Sequence, residues 1–401
     1  MVMRHPRLAL ASVLWLCAIC AARGQLLESV LPDGIPGYEN SFSVTAPHPD
    51  RQLTSVPWQF GGVSVAPSVA LAGGYDSAPN GAAGSSVYNV APQILVTDPL
   101  LGLGVFASGA FARYPQDQAQ NLSSSALALG ERVALPRETI TLSGGILNAQ
   151  ESGFDIGTLG IVTPVPFTAT DLRASDSIVL GQFSLTPEIS VTSFRFPDDA
   201  AQNRRDDRER ATLSYLPGSP LSLVVRVQAA QSLYRDQALN ADTNALLVGL
   251  VDTADGLWTF SALAGFAQRR PRQGDKLLAP VLEAGLDWLP DRLDHVRLTV
   301  AREIDDPDAI SAVPYTLTQA RFSLRRSATR ETIVQISAEA DHAAYLLTPD
   351  EETIYRAGAS LSWQLNTVLA LNAAYAFNDR QANFLPAANE HVVTIGATWT
   401  P

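Results

Sequence analysis

Tyr355-Arg-Ala-Gly-Ala-Ser-Leu-Ser-Trp363, followed by the tight turn Leu365-Asn-Thr367, is the stretch whose reading decides the fold. Tyr355, Ala357, Ala359, Leu361 and Trp363 fall on one side of an extended chain, and Arg356, Ser360 and Ser362 on the other. A side-chain period of two is what a strand between an apolar and a wet environment requires. The phrase recurs upstream. In Leu221-Ser-Leu-Val-Val-Arg-Val-Gln228, Leu221, Leu223, Val225 and Val227 oppose Ser222, Arg226 and Gln228. In His295-Val-Arg-Leu-Thr-Val300, Val296, Leu298 and Val300 oppose His295, Arg297 and Thr299. Tight polar turns punctuate the runs at Ala134–Glu138, Leu185–Glu188, Leu216–Pro220, Thr253–Gly256, Leu289–Arg292 and Ser327–Arg330, with a looser one at Thr97–Leu101. Longer charged or Pro/Asn-rich loops join the hairpins at their other ends. Short turns on one side, long loops on the other and strands of about ten residues mark an all-β fold: a transmembrane antiparallel β-barrel of the bacterial outer membrane, with turns in the periplasm and loops outside the cell.

A soluble β-sandwich alternates in the same way, and the tryptophans separate the two. Trp258 follows a short turn, Trp288 and Trp363 precede one, and Trp399 nearly ends the chain. All four stand at the short-turn level, where an interfacial aromatic girdle belongs because an indole prefers the headgroup region. Tyr75, Phe111, Tyr234, Phe266, Tyr345 and Tyr375 are candidates for the opposite girdle. The last strand, His391 to Trp399, carries Val393, Ile395, Ala397 and Trp399 on one face. The turns imply about eighteen strands, with about sixteen as the alternative, and bacterial barrels use even numbers.

Residues 1–24 read as a secretory signal: Arg4, His5 and Arg7, then the apolar Leu8 to Ile19, then Ala22-Arg-Gly24 as a cleavage site. Residues 25–60 lack periodicity and carry several prolines, which points to a short irregular periplasmic segment, and residues 61–401 make the barrel. Both cysteines, Cys17 and Cys20, lie in the leader, so a disulfide framework is excluded in the mature chain. A mean hydropathy of +0.06 suits strands whose apolar and polar faces cancel. The net charge of −12 excludes a nucleic-acid partner, which requires a basic face.

Gly61-Gly-Val-Ser-Val-Ala-Pro-Ser-Val-Ala-Leu-Ala-Gly-Gly-Tyr-Asp76 is an apolar strand with the central Pro67, ending in Tyr75-Asp76 and followed by Asn80. This opening resembles that of the putative β-barrel porin 2 family, and the resemblance extends over residues 55 to 401. It implies an outer-membrane barrel. Because some relatives are associated with exopolysaccharide production, it also implies a glycan as one class of cargo.

On the inferred lumen face stand Arg226, Glu283, Asp287, Arg297, Arg321, Arg325, Glu339, Asp341 and Arg356. Opposite charges on adjacent strands can pair across a sheet, and inside a lumen they set the field felt by a passing solute. Glu283 and Asp287 are also the residue types of acid–base catalysis, although no nucleophile accompanies them. His295, His342 and His391 lack the spacing of a metal site. The acidic loops Asp198-Asp199, Asp305–Asp308 and Asp350–Glu352 read as solvated or as divalent-cation contacts at lipopolysaccharide. The Pro197–Arg210 segment reads as an exposed loop, and the segment around Gly153–Asp171, stiffened by Pro164 and Pro166, as one that can fold inward.

These residues support a passive channel for small hydrophilic solutes or a glycan, ahead of a closed structural or adhesive barrel and of a barrel enzyme. No cofactor is expected. The expected partners are outer-membrane lipids, lipopolysaccharide and the barrel assembly machinery.

Overall fold

The structure, a computed structural model, describes residues 31, 34–38, 57–158, 160–198, 200–215, 221–252, 257–306 and 313–401. The expected leader and the turns at 216–220 and 253–256 lie outside them. A three-residue strand, β1 (Trp58–Phe60), leads into long ones. On the first half of the wall these are β2 (Val63–Asp76), β3 (Ser85–Asp98), β4 (Leu103–Arg113), β5 (Leu122–Ala134), β6 (Glu138–Glu151), β7 (Val165–Leu180), β8 (Phe183–Arg195), β9 (Arg204–Tyr215) and β10 (Leu221–Tyr234). The second half comprises β11 (Ala241–Asp252), β12 (Trp258–Pro271), β13 (Leu277–Trp288), β14 (Asp294–Asp305), β15 (Tyr315–Ser327), β16 (Thr332–Tyr345), β17 (Glu351–Gln364), β18 (Leu369–Ala382) and β19 (Ala388–Trp399).

Each long strand pairs antiparallel with its neighbours in sequence, and β19 pairs with β2 from Val392↔Asp76 to Trp399↔Val69. The eighteen long strands therefore close into a barrel without a free edge, as a lipid environment demands of backbone hydrogen-bonding groups. β1 doubles back through Gly61 and Gly62, both at positive φ, and pairs with Val63–Val65 below the last rung of β19. It continues the seam where β2 outruns β19.

Alternation sorts the side chains as the sequence reading expects. Leu71, Leu172, Ile189, Phe266, Leu361 and Ile395 are exposed on the outer face. Ala338 and Ala359 are exposed beside them, whereas Ser337 and Ser360, one residue away, are half-buried on the inner face. Trp258, Trp288, Trp363 and Trp399 all point outward at the short-turn end, and Trp258 stands directly across from Trp288. At the long-loop end Tyr75, Phe111, Phe266 and Tyr375 point outward, joined by Tyr88 and Tyr355. Tyr234 and Tyr345 do not: both are buried on the inner face, because each is out of phase with the outward residues of its own strand.

Two boundaries differ from the sequence reading. The turn expected at Leu185–Glu188 lies inside β8, and the chain reverses at Gly181-Gln182 instead, with Gly181 at φ +66°. Pro187 is accommodated by a break in the β7–β8 ladder between Ser175↔Glu188 and Ile178↔Leu185, since proline brings no N–H to it. Of the supposed loop Pro197–Arg210, residues from Arg204 onward belong to β9. There both faces are polar, so the period of two leaves no apolar trace.

Candidate functional site: the barrel lumen

The lumen is narrowed from two sides. Residues 25–60 were expected in the periplasm, but of their described residues, 31 and 34–38 pack against the inner face of the barrel. Leu31, Ile35 and Tyr38 are buried against Phe106, Ala126, Ala128, Leu147, Phe167, Ala169 and Phe194, all projecting from β4–β8. Tyr38 donates its hydroxyl hydrogen bond to Asp171 at 3.0 Å, and Arg173 lies over its ring. Burial holds the Tyr38 phenol well above its usual range, so it remains a donor. Glycines on the wall make room for the segment: a Cβ on Gly130 would stand 2.1 Å from the Pro36 carbonyl oxygen. Gly130→Val should therefore displace the segment from an intact barrel. The expected readout is chymotrypsin cleavage at Tyr38, which wild type resists, with heat-modifiable gel migration unchanged.

On the other side the connection between β6 and β7, residues 152–164, folds inward and crosses to β15–β18. Only its beginning matches the expected Gly153–Asp171 segment, because Val165–Asp171 already belongs to β7. Ile156 is buried with Tyr315, Leu317, Ala343, Tyr345 and Ile354. The Arg356 Nη2 donates to the Phe154 carbonyl at 2.6 Å, and Arg380 donates to the Gly153 carbonyl. The Gly157 amide donates to Glu352 at 3.3 Å. The base of the loop is tied to its neighbours: the Gly153 amide donates to Asn80 Oδ1 at 3.0 Å, and Gln120 Nε2 donates to the Val162 carbonyl at 2.8 Å.

The nine lumen charges read from the sequence all project inward from β10 and β13–β17. Arg226 bridges to Glu283 across two intervening strands. Asp287, fully buried, binds His295 and accepts from Arg297 Nη2 at 2.9 Å. Arg321 meets Glu339 at 3.0 Å. Arg356 joins Glu339 at 3.3 Å and Asp341, which is buried. Glu283 and Asp287, the carboxylates weighed for acid–base chemistry, are thus each engaged by an arginine. Arg325 is half-buried, and its side chain has no hydrogen bond or ion pair among the described residues.

The sequence reading missed the inward arginines of β9, namely Arg204, Arg208 and Arg210, together with Arg269 on β12 and Arg380 on β18. Arg204 pairs with Asp206 at 3.0 Å and lies over the Phe194 ring; Arg269 pairs with Asp306. Counting by twos from Thr212 would have placed the β9 set, but the mixed charges resemble a solvated loop. A central cavity of about 790 Å³ remains between the segment and the loop. Most of its charged side chains stand on β8–β17, while the β18–β3 side presents mainly small or amide side chains such as Ala70, Ala72, Asn89 and Ala374, with the carboxyl groups of Asp76 and Glu390 among them.

No curated protein matches the chain. Among solved structures, OccK2 (OpdF) of Pseudomonas aeruginosa is 11% identical, with 84% of this chain and 98% of that one covered and a TM-score of 0.46. The outer membrane protein OpdK of the same organism gives 11%, 84%, 99% and 0.44, and OccAB2 of Acinetobacter baumannii 11%, 84%, 98% and 0.44. The family model described as putative β-barrel porin 2 matches residues 56–400. With a closed eighteen-strand barrel girdled by outward aromatics, this chain belongs to the putative β-barrel porin 2 family and resides in the bacterial outer membrane.

Proposed function

We propose that the protein is a porin-like channel for the passive passage of small hydrophilic solutes. The observation that carries this reading is the cavity of about 790 Å³ left beside the inward loop, with arginines and carboxylates along one wall and mainly small side chains on the other. A dipolar or charged solute crossing it would be oriented by the field between the walls. Outer-membrane lipids and lipopolysaccharide would contact the outward face, and the assembly machinery would act on it during insertion.

Purified protein in a planar bilayer should show discrete conductance steps. Silence in wild type and in a variant lacking residues 154–161 would instead indicate a closed structural barrel. Progressive block by soluble oligosaccharides of increasing length would point to a glycan as cargo. Arg325, free of partners among the described residues, is the charge whose reversal disturbs the wall least. Arg325→Glu should shift ion selectivity toward cations, because fixed charge in a narrow aqueous path concentrates counter-ions. The shift should fade at 1 M salt, where the Debye length is about 3 Å. Reversal potentials across a salt gradient measure both.

A further inference from the structure

Asp76 and Asn80, two residues of the opening motif, meet at a place the channel reading leaves without a role. Asp76 ends β2 and Glu390 stands near the start of β19, on the seam that closes the barrel. Both face inward and are buried, at 1% and 8% exposure, and their carboxyl groups hydrogen-bond to each other. Two carboxyl groups make that bond only with a proton between them, because like charges at contact distance do not both ionise.

Asp76 already accepts from the Ala78 amide at 3.1 Å and from the Tyr114 hydroxyl at 3.0 Å. Asn378 Nδ2 donates to Glu390 at 2.6 Å, and so does the Asn80 backbone amide. The surrounding ionisable groups point elsewhere. Burial and the neighbouring Asp76 keep the Tyr114 phenol above its usual range, so it stays a neutral donor. Arg380 on β18 is turned to the carbonyls of Gly153 and Pro386. His391 on β19 faces outward to Tyr375, Asp117 caps the Ala119 amide, and Asp155 lies toward Arg356. β3 contributes Ser85 and Val87, which do not titrate. Asp76 and Glu390 therefore carry no cation on their carboxyl groups among the described contacts.

Asn80 connects the pair to the inward loop. Its backbone sits on Glu390, while its side chain donates to Gln120 Oε1 at 2.7 Å and accepts from Gly153 at 3.0 Å. Gln120 in turn holds Val162. Gly153 and Val162 are near the two ends of the loop, so one residue governs both. Asn80 has φ 50°, the left-handed region, and is the one described non-glycine residue with positive φ. Such a conformation persists only where surrounding contacts impose it.

We propose that the Asp76–Glu390 pair is a proton-operated latch for the inward loop. With the shared proton in place the pair holds Asn80, and Asn80 holds the loop across the lumen. When the proton leaves, the two carboxylates repel, Asn80 relaxes and the loop lifts. The consequence for passage rests on the channel reading, but the latch itself is testable without it.

The two cysteines, Cys17 and Cys20, both lie in the expected leader, so in the chain without it Ile156→Cys gives a single thiol, buried at 6% exposure on the loop. Labelling by an impermeant maleimide, from pH 5 to pH 9 in native outer-membrane vesicles, reports lifting. The reference is the same cysteine with Glu390→Gln, which corrects for the thiol's own ionisation. The glutamine amide donates permanently to Asp76, so the latch stays shut. At pH 5 the two should label alike and slowly. Above pH 5 the Glu390 form should label progressively faster, by up to about tenfold for each pH unit until the closed pair has lost its proton, and then level off. Equal rates at every pH, or fast labelling already at pH 5, overturn the latch. Asn80→Ala should label fast throughout, and slow labelling there also overturns it. Conductance of the same proteins separates the two ideas: pH-dependent labelling in a silent protein keeps the latch and removes the channel. Conductance without a labelling difference does the reverse.

Discussion

Arg356→Ala should release the inward loop, raise single-channel conductance and destabilise the barrel. Arg356 is 11% exposed and holds Asp341, at 1%, while its other nitrogen holds the Phe154 carbonyl. Truncation leaves Asp341 buried without its cation and at the same time removes the loop's anchor at Phe154. Removing one partner of a buried ion pair costs about 3–5 kcal/mol, because a desolvated charge is left behind. Arg356→Lys should recover part of the stability but little of the loop anchoring. An ammonium cannot serve Asp341 and Phe154 together as the guanidinium fork does. Urea unfolding in detergent measures the first effect and bilayer recording the second. Unchanged conductance in a folded Arg356→Ala protein would mean that the loop is seated without it. Reversing Arg356 together with Arg321 and Arg325 would confound selectivity with loop release, which is why Arg325 alone is the cleaner probe.

The second large effect is on the wall. Ala359 and Ser360 are neighbours on β17 that face opposite environments. Ala359 lies between Ile336 on β16 and Tyr375 on β18, both outward and exposed. Arginine placed there enters hydrocarbon at a cost of about 2–4 kcal/mol, against little for arginine at Ser360, where the lumen is wet. The same contrast should hold between Ala338 and Ser337 on β16. Folding titrations into lipid vesicles measure the difference, and equal tolerance at the paired sites would mean the register is shifted by one residue.

The wall was legible because each position on it answers to a local rule. Lipid on one side and water on the other force a period of two, so Leu361 and Arg356 could be assigned to faces from spacing alone. The four tryptophans could be placed at one level because short turns end strands there. That is also why the hairpin at Thr97–Leu101 was readable while Leu185–Glu188 misled. Proline is a turn signal in isolation, but an established ladder tolerates Pro187 by skipping rungs. The β9 arginines were hidden for a related reason: where the outer face rises out of the membrane it is polar too, and alternation loses its contrast.

Sequence by itself thus determined the barrel and the faces of its clearly alternating strands, since these follow from periodicity and from the membrane as solvent. It could not determine which charge meets which. Arg226 reaches Glu283 over two strands, and Arg356 and Arg380 reach a loop more than two hundred residues earlier in the chain. Such contacts depend on the curvature of the closed wall and on what occupies the lumen. The N-terminal segment was misplaced on the same account. Prolines and missing periodicity say that residues 31–38 are not a strand. Only the finished barrel, with Gly104 and Gly130 leaving a gap in its wall, supplies the surface on which Ile35 and Tyr38 are buried. The tertiary structure decided where the lumen is narrow, because narrowing is made by parts distant in sequence that meet only after the sheet has closed.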